Sequence, residues 1–209
     1  MGAGGHAKVV TEALRLSGRE ILGFVTPDLE AGTGFCGSTA LGDDAVIFDY
    51  SADEIELVNG VGVLPGQYLR WKLASTMRER GYIFSTVIHP NATITSEVTI
   101  GEGVQVMVGG IIQPGSAIGD DTIINTGAII DHDCEIGKSC HIAPGVVCSG
   151  GVKIGRESHI GTGANIIQNI TVGNRCVIAA GTTLYRDIKS GMRIRQQMKI
   201  VIDETDIEV

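Results

Sequence analysis

The sequence predicts a small, Rossmann-like N-terminal α/β unit followed by a parallel β-helix of hexapeptide repeats. Two observations carry this prediction: an apolar period of six through the C-terminal half, and 30 glycines against 4% aromatic residues. Many glycines and few rings suit a backbone that turns often around a narrow interior of small and branched side chains. With 43% apolar residues, the 209-residue chain has enough material to bury a core.

Stepping by six from Ile88, the chain reads Ile94, Ile100, Val106, Ile112, Ile118, Ile124, Ile130, Ile136, Ile142, Cys148, Ile154, Ile160, Ile166, Val172, Ile178 and Leu184. Four residues after these positions come small or branched residues such as Ala92, Val98, Ser116, Thr122, Ala128, Cys134, Cys140, Val146, Ala164 and Cys176. A helix repeats its apolar face about every 3.6 residues and a half-buried strand about every 2, so a period of six indicates short strands joined by tight corners. Three hexapeptides make a triangular coil of about 18 residues, giving roughly five to six coils stacked about 4.8 Å apart. The tract resembles the left-handed β-helix acyltransferases, whose hexapeptides follow the same Ile-Gly-x-x-small-x pattern. That resemblance implies the handedness, a homotrimer, and acyl-CoA held in grooves between neighbouring helices.

Residues 1–82 lack the period and form the predicted α/β unit; residues 83–209 form the β-helix with a C-terminal cap. In the first unit, Gly2, Ala3, Gly4, Gly5 and His6 lead into a helix with Val9, Val10, Ala13 and Leu14, closed by Gly18. A strand over Ile21–Val25 follows. A second helix is predicted to present Leu69, Leu73 and Met77 on one face, with Arg78 and Arg80 in its last turn and Gly81 after it. A glycine-rich loop opening a helix can hold phosphate, because unpaired amides and the helix dipole face the anion. A dinucleotide reading is not favoured: the strand that motif requires ahead of its loop is not in this sequence, and Thr26, Pro27 and Asp28 offer no clear ribose-binding acid.

Charge and composition narrow the function further. A net charge of -8 is opposed to a phosphate-tracking nucleic-acid surface. No apolar run reaches the roughly 18 residues needed to span a bilayer, and the N-terminus does not read as a signal peptide, so the expected location is cytoplasmic. Cys36, Cys134, Cys140, Cys148 and Cys176 form no CxxC pair and read as small buried residues of a reducing compartment.

Taken together, Gly4, Gly5 and His6 before a helix, Asn59, Gly60, Val61 and Gly62 after a strand, Ile88, His89 and Pro90 where the repeat begins, and Ile130 to Cys134 within it resemble the NeuD/PglD family of bacterial sugar acetyltransferases. The resemblance implies transfer of an acetyl group from acetyl-CoA to the amino group of a nucleotide-linked amino sugar of the 4-amino type. It assigns Gly4, Gly5, His6 and Gly62 to the nucleotide sugar. Thr26 and Pro27 stand where the family commonly has paired acids. Ile194 to Lys199 stand where it has Gly-x-Pro-Ala.

Acetyl transfer from a thioester to an amine needs a base and a donor where negative charge develops. His132, flanked by Asp131 and Asp133 just after an inward isoleucine, is the candidate base, since its ring should face outward at a corner beside a carboxylate. The resemblance gives it the same role and gives Asp133 the orienting one. It also implies that His141 hydrogen-bonds acetyl-CoA and that Asn125 contacts the acceptor amine. Half a coil separates His132 from His141, so the spacing suggests a site composed of His132 from one chain and His141 from the next. His159, one coil beyond His141, should stack on it, and His89 reads as structural. Backbone amides at Gly150, Thr162 and Ala180 form a ladder on which an extended pantetheine arm could lie. Three alternatives stay open: O-acetylation of a sialic acid on the same fold, a γ-type carbonic anhydrase using His132, His141 and His159 on zinc, and a non-catalytic assembly or sugar-sensing module. No metal is expected for the acetyltransferase reading.

Overall fold

The structure is a computed structural model that describes residues 1–195. The predicted C-terminal cap and the Gln196–Lys199 part of the atypical C-terminal stretch lie outside these residues. The period of six becomes a left-handed helix of three parallel sheets, with seven, six and five strands. Each hexapeptide supplies a two-residue strand that pairs with its counterpart one coil on. Ile123–Ile124 pairs with His141–Ile142, Ile129–Ile130 with Val147–Cys148, and Glu135–Ile136 with Lys153–Ile154.

The second residue of each strand points inward. Val106, Ile112, Ile124, Ile130, Ile142, Cys148, Ile160 and Ile178 are fully buried, and so are Val104, Ala128, Cys134, Val146, Ala164 and Cys176 at the second inward position. Each such isoleucine stabilises the coil by roughly 1.5–3 kcal/mol relative to exposure. At the second position the hydroxyls of Ser116, Thr122 and Ser158 are satisfied from both sides, while that of Thr182 is buried with no partner among the described residues. Ser116 Oγ, for instance, donates to the Asp131 carbonyl at 2.8 Å and accepts from the Cys134 amide at 3.1 Å. Cysteine thiols serve the same position, as Cys140 Sγ donates to Gly155 O at 3.2 Å. Cys36 departs from the expectation: it is half-buried, at a left-handed turn outside the repeat.

Corners turn through a left-handed residue at every sixth position, among them Gly127, Asp133, Ser139, Gly145 and Gly151. This geometry favours glycine, with Asn and Asp the usual substitutes, and it accounts for much of the glycine content.

In the N-terminal layer, α1 (Gly5–Leu16) buries Ala7, Val10 and Ala13. A three-stranded sheet comprises β1 (Phe24–Val25), β2 (Gly34–Phe35) and β3 (Ser38–Gly42) in the order β1-β3-β2. The predicted strand over Ile21–Val25 is thus paired only at its end, because Ile21, Leu22 and Gly23 border a cavity. In α2 (Leu69–Arg78) the buried face is Arg70, Ala74 and Met77, whereas Leu69 is exposed. The helix is rotated from the predicted face because carbonyls of the preceding loop draw Arg70 inward. Arg78, at its end, forms a two-pronged pair with Asp121 at 2.6 and 2.9 Å, tying the layer to the β-helix. Val10 and Ala13 pack on Val87 and Met107 across the same junction. No helix among the described residues is long and apolar enough to cross a membrane.

Candidate active site

His132 stands at the corner after the Ile129–Ile130 strand. Asp131 Oδ1 accepts its backbone amide at 2.8 Å, and its ring Nδ1 lies 2.8 Å from Asp133 Oδ2. The left-handed backbone of Asp133 (φ 59°) lets its carboxylate turn back to the ring, while its amide donates to Pro114 O at 3.0 Å. Asp133 therefore holds the proton on Nδ1 and leaves the Nε2 lone pair free. The hydrogen bond that His132 donates to Asp133, followed by the charge of Asp131, raises the His132 pKa above its ordinary 6.5. The imidazole is 62% exposed, open to a substrate.

Gly150 lies against this ring. A Cβ there would sit 2.5 Å from Cε1 and Nε2, so only glycine leaves the imidazole its place. The sequence alone suggested a backbone contact to the cofactor for Gly150, and seating His132 is a role it did not reveal. The backbone of Gly150 is outside the left-handed region and accepts alanine. Gly150→Ala is expected to lower kcat by about 10²-fold, as an ångström-scale displacement of a reacting group can, with Tm little changed. Steady-state kinetics beside a thermal melt checks this.

His141 sits in the seven-stranded sheet, in register with His159, and the two rings meet edge to face at 4.8 Å. Its Nε2 accepts from Asn125 Nδ2 at 3.1 Å, which puts the ring proton on Nδ1. The Val63 backbone approaches the ring without hydrogen-bond geometry, and Nδ1 is buried with no partner among the described residues. Burial, then the neighbouring His159, pushes the His141 pKa down to about 3. His141 is therefore neutral across physiological pH, with an Nδ1–H available to donate. Asn125 is engaged with His141 and, through Oδ1, with the Thr126 amide at 2.8 Å.

The first turn of α1 forms a second pole. Gly4 caps the helix without a side chain, and a Cβ on Gly4 or Gly5 would meet nothing within 4 Å, so the turn is open to a ligand. Gly62 lies beside His6, 3.5 Å from Cβ to Cβ if it carried one. His6 Nε2 donates to Gln105 Oε1 at 2.7 Å, while Gln105 Nε2 donates to Asn59 O at 2.8 Å. Arg70 Nη1 donates to the carbonyls of Asn59 and Val61 at 2.5 and 2.8 Å. Burial, then Arg70, lowers the His6 pKa to about 4. The positive potential at this pole thus comes from Arg70 and the helix amides, not from His6. Gln105 and Arg70 are the residues sequence reasoning missed here, and Asn59 entered it only as part of a motif, without this contact.

Thr162 and Ala180 share a cleft of about 370 Å³ with His159, Gly161, Val177 and Pro65. The corner amides of Gly150, Thr162 and Ala180 have no acceptor among the described residues, whereas the equivalent amides of His132 and Arg156 are capped by Asp131 and Asn174. Such free, outward amides suit the carbonyls of an extended amide chain. His89 is structural as expected: it is buried, and its Nδ1 accepts from the Asn91 amide at 3.0 Å. Among the described residues no group of three or more His, Cys, Asp or Glu side chains is placed to hold a metal ion.

Residues 115–150 and 151–186 match the family "Bacterial transferase hexapeptide (six repeats)". No functionally curated protein matches the chain. Several solved structures do. PerB from Caulobacter crescentus, in complex with CoA and GDP-perosamine, is 36% identical over 92% of this chain and 90% of its own, with a TM-score of 0.84. GDP-perosamine N-acetyltransferase from the same organism, with one histidine replaced by alanine and the same two ligands, gives 36% identity, the same coverage and a TM-score of 0.85. The acetyltransferase domain of PglB from Neisseria gonorrhoeae, in complex with acetyl coenzyme A, is 34% identical over 92% of each chain, with a TM-score of 0.85.

Proposed function

Because the chain belongs to the hexapeptide-repeat sugar N-acetyltransferases, we propose that His132 is the general base in transferring the acetyl group of acetyl-CoA to the amino group of a nucleotide-linked amino sugar. The observation that carries this reading is the His132–Asp133 pair at 2.8 Å seated on Gly150. Acetyl-CoA supplies a thioester whose carbonyl carbon is open to attack. His132 Nε2 takes the proton of the attacking amine, Asp133 stabilises the imidazolium, and the same nitrogen returns the proton to the departing thiolate. His141, neutral with a free Nδ1–H, fits the donor that acetyl-CoA requires. Thr162 and Ala180 offer amides along the cleft for the pantetheine arm, whereas the amide of Gly150 lies on the separate corner that carries His132.

The open turn at Gly4 and Gly5, with His6 and Gly62 beside it, is the proposed seat of the nucleotide, and Asn125 contributes near the acceptor through its bond to His141. In this division residues 1–82 hold the nucleotide and residues 83–209 the acetyl donor. His132 lies on a corner while His141 is on the sheet that faces the N-terminal layer, so we assign the complete site to a homotrimer in which neighbouring chains contribute the two histidines.

Thiol release from acetyl-CoA against a panel of UDP- and GDP-linked 4-amino sugars and free sialic acid tests the reading. Turnover is expected on a nucleotide-linked amino sugar and not on sialic acid. Turnover on sialic acid alone would replace N-acetylation with O-acetylation, and no thiol release on any acceptor would remove the acetyltransferase assignment.

A further inference from the structure

Gln105 is an outward residue of its coil, yet it is fully buried, and the N-terminal layer fixes both ends of its side-chain amide. Its Nε2 donates to the Asn59 carbonyl at 2.8 Å, an oxygen that also accepts from Arg70 Nη1 at 2.5 Å. A carbonyl can only accept, so the amide cannot flip without setting two acceptor oxygens against each other. Gln105 Oε1 therefore faces His6 Nε2 at 2.7 Å, and that nitrogen carries the ring proton.

The consequence lies on the other side of the ring. A neutral imidazole has one N–H, and with it committed to Gln105 the Nδ1 atom holds a bare lone pair. His6 Nδ1 has no partner among the described residues and is not sealed from solvent. A second proton at Nδ1 would charge a ring whose pKa burial, then Arg70, has lowered to about 4.

The first turn of α1 thus offers two kinds of group. The amides of Gly5, His6 and Ala7 have no acceptor within the helix and no side-chain cap, so they are donors suited to phosphate oxygens. His6 Nδ1 offers only an acceptor, which a phosphate oxygen would meet lone pair to lone pair. A nucleotide-linked sugar carries both complements side by side: a diphosphate for the amides, and hydroxyls on the flanking ribose and hexose for the imidazole.

We propose that Gln105 is a positioning residue that holds His6 as a hydrogen-bond acceptor, and that His6 Nδ1 receives a hydroxyl of the ribose or hexose beside the diphosphate. The inference rests on the reading that this turn seats the nucleotide sugar. It makes His6 a selector of hydroxylated ligands, because a site built to pair a hydroxyl is left with an unpaired polar group when that hydroxyl is missing.

The test uses the full chain, labelled with nitrogen-15 at histidine and glycine, and the UDP- and GDP-linked 4-amino sugars with their 2′-deoxyribose and 2-deoxyhexose forms. In the free protein the His6 ring is expected to give the spectrum of the Nε2–H tautomer. The intact ligand is expected to shift the Nδ1 resonance together with the Gly4 and Gly5 amides. One of the two deoxy forms is expected to bind about 10-fold more weakly than the intact ligand, which identifies the hydroxyl. That difference is expected to vanish in His6→Phe and to shrink in Gln105→Met, which offers Nε2 no acceptor. It is expected to survive in Gln105→Glu, which still accepts from Nε2 and keeps the shape of the side chain. Shifts at Gly4 and Gly5 with no change at Nδ1, or with equal affinity for all three ligand forms, overturn the hydroxyl contact and leave the nucleotide seat standing. A doubly protonated His6 in the complex overturns it in favour of a phosphate contact. No shift at Gly4 and Gly5 with any ligand removes the seat, and the inference with it.

Discussion

His132→Ala is expected to lower kcat/KM for acetyl transfer by about 10² to 10⁴-fold, the range of a lost general base, while Tm stays close to that of the parent. The side chain is 62% exposed and its only polar partner among the described residues is Asp133, itself exposed, so its removal leaves no buried group of theirs unsatisfied. A companion variant separates basicity from mere presence. Asp133 raises the His132 pKa above 6.5, and the imidazole must be neutral to accept a proton, so activity rises with pH through that raised value. In Asp133→Asn the hydrogen bond to a carboxylate and its charge are both lost. The pKa falls and the acidic limb of the kcat/KM profile moves to lower pH, while the plateau drops because the imidazolium is less stabilised. An unmoved limb in Asp133→Asn would show that another group is the base.

Ile142→Ala should produce the largest loss of stability. Ile142 is fully buried, stacked between Ile124 and Ile160 in the same column of the core. Removing a buried isoleucine costs about 2–5 kcal/mol, because the cavity adds to the lost transfer energy. For a chain of this size that lowers Tm by roughly 4–20 °C. Lys153→Ala is the matched control on the outside of the coil: its 2.7 Å pair with Glu135 joins side chains 57% and 64% exposed, and such a pair contributes about 0–1 kcal/mol. Equal Tm shifts in the two variants would mean that the column is not the dominant support of the fold.

The period of six set the β-helix, its inward columns and its stacking register, because each coil is held mainly by identical positions one coil away. The same locality made the His132–Asp133 pair and the His141–His159 stack legible, since neighbours in the chain, or residues one period apart, must be neighbours in space. In the N-terminal layer the helices were legible but the face of α2 was not: Arg70, a charged residue, lies inward where Leu69 was expected. The seat that Gly150 gives His132 and the chain from His6 through Gln105 to Asn59 were decided only by the tertiary structure. Gln105 occupies an outward position of its coil, which by pattern alone belongs to solvent, and it is buried only because the N-terminal layer folds over it from 99 residues away. A buried polar group must be paired wherever its partners come from, and no sequence period records a pairing between two different architectures.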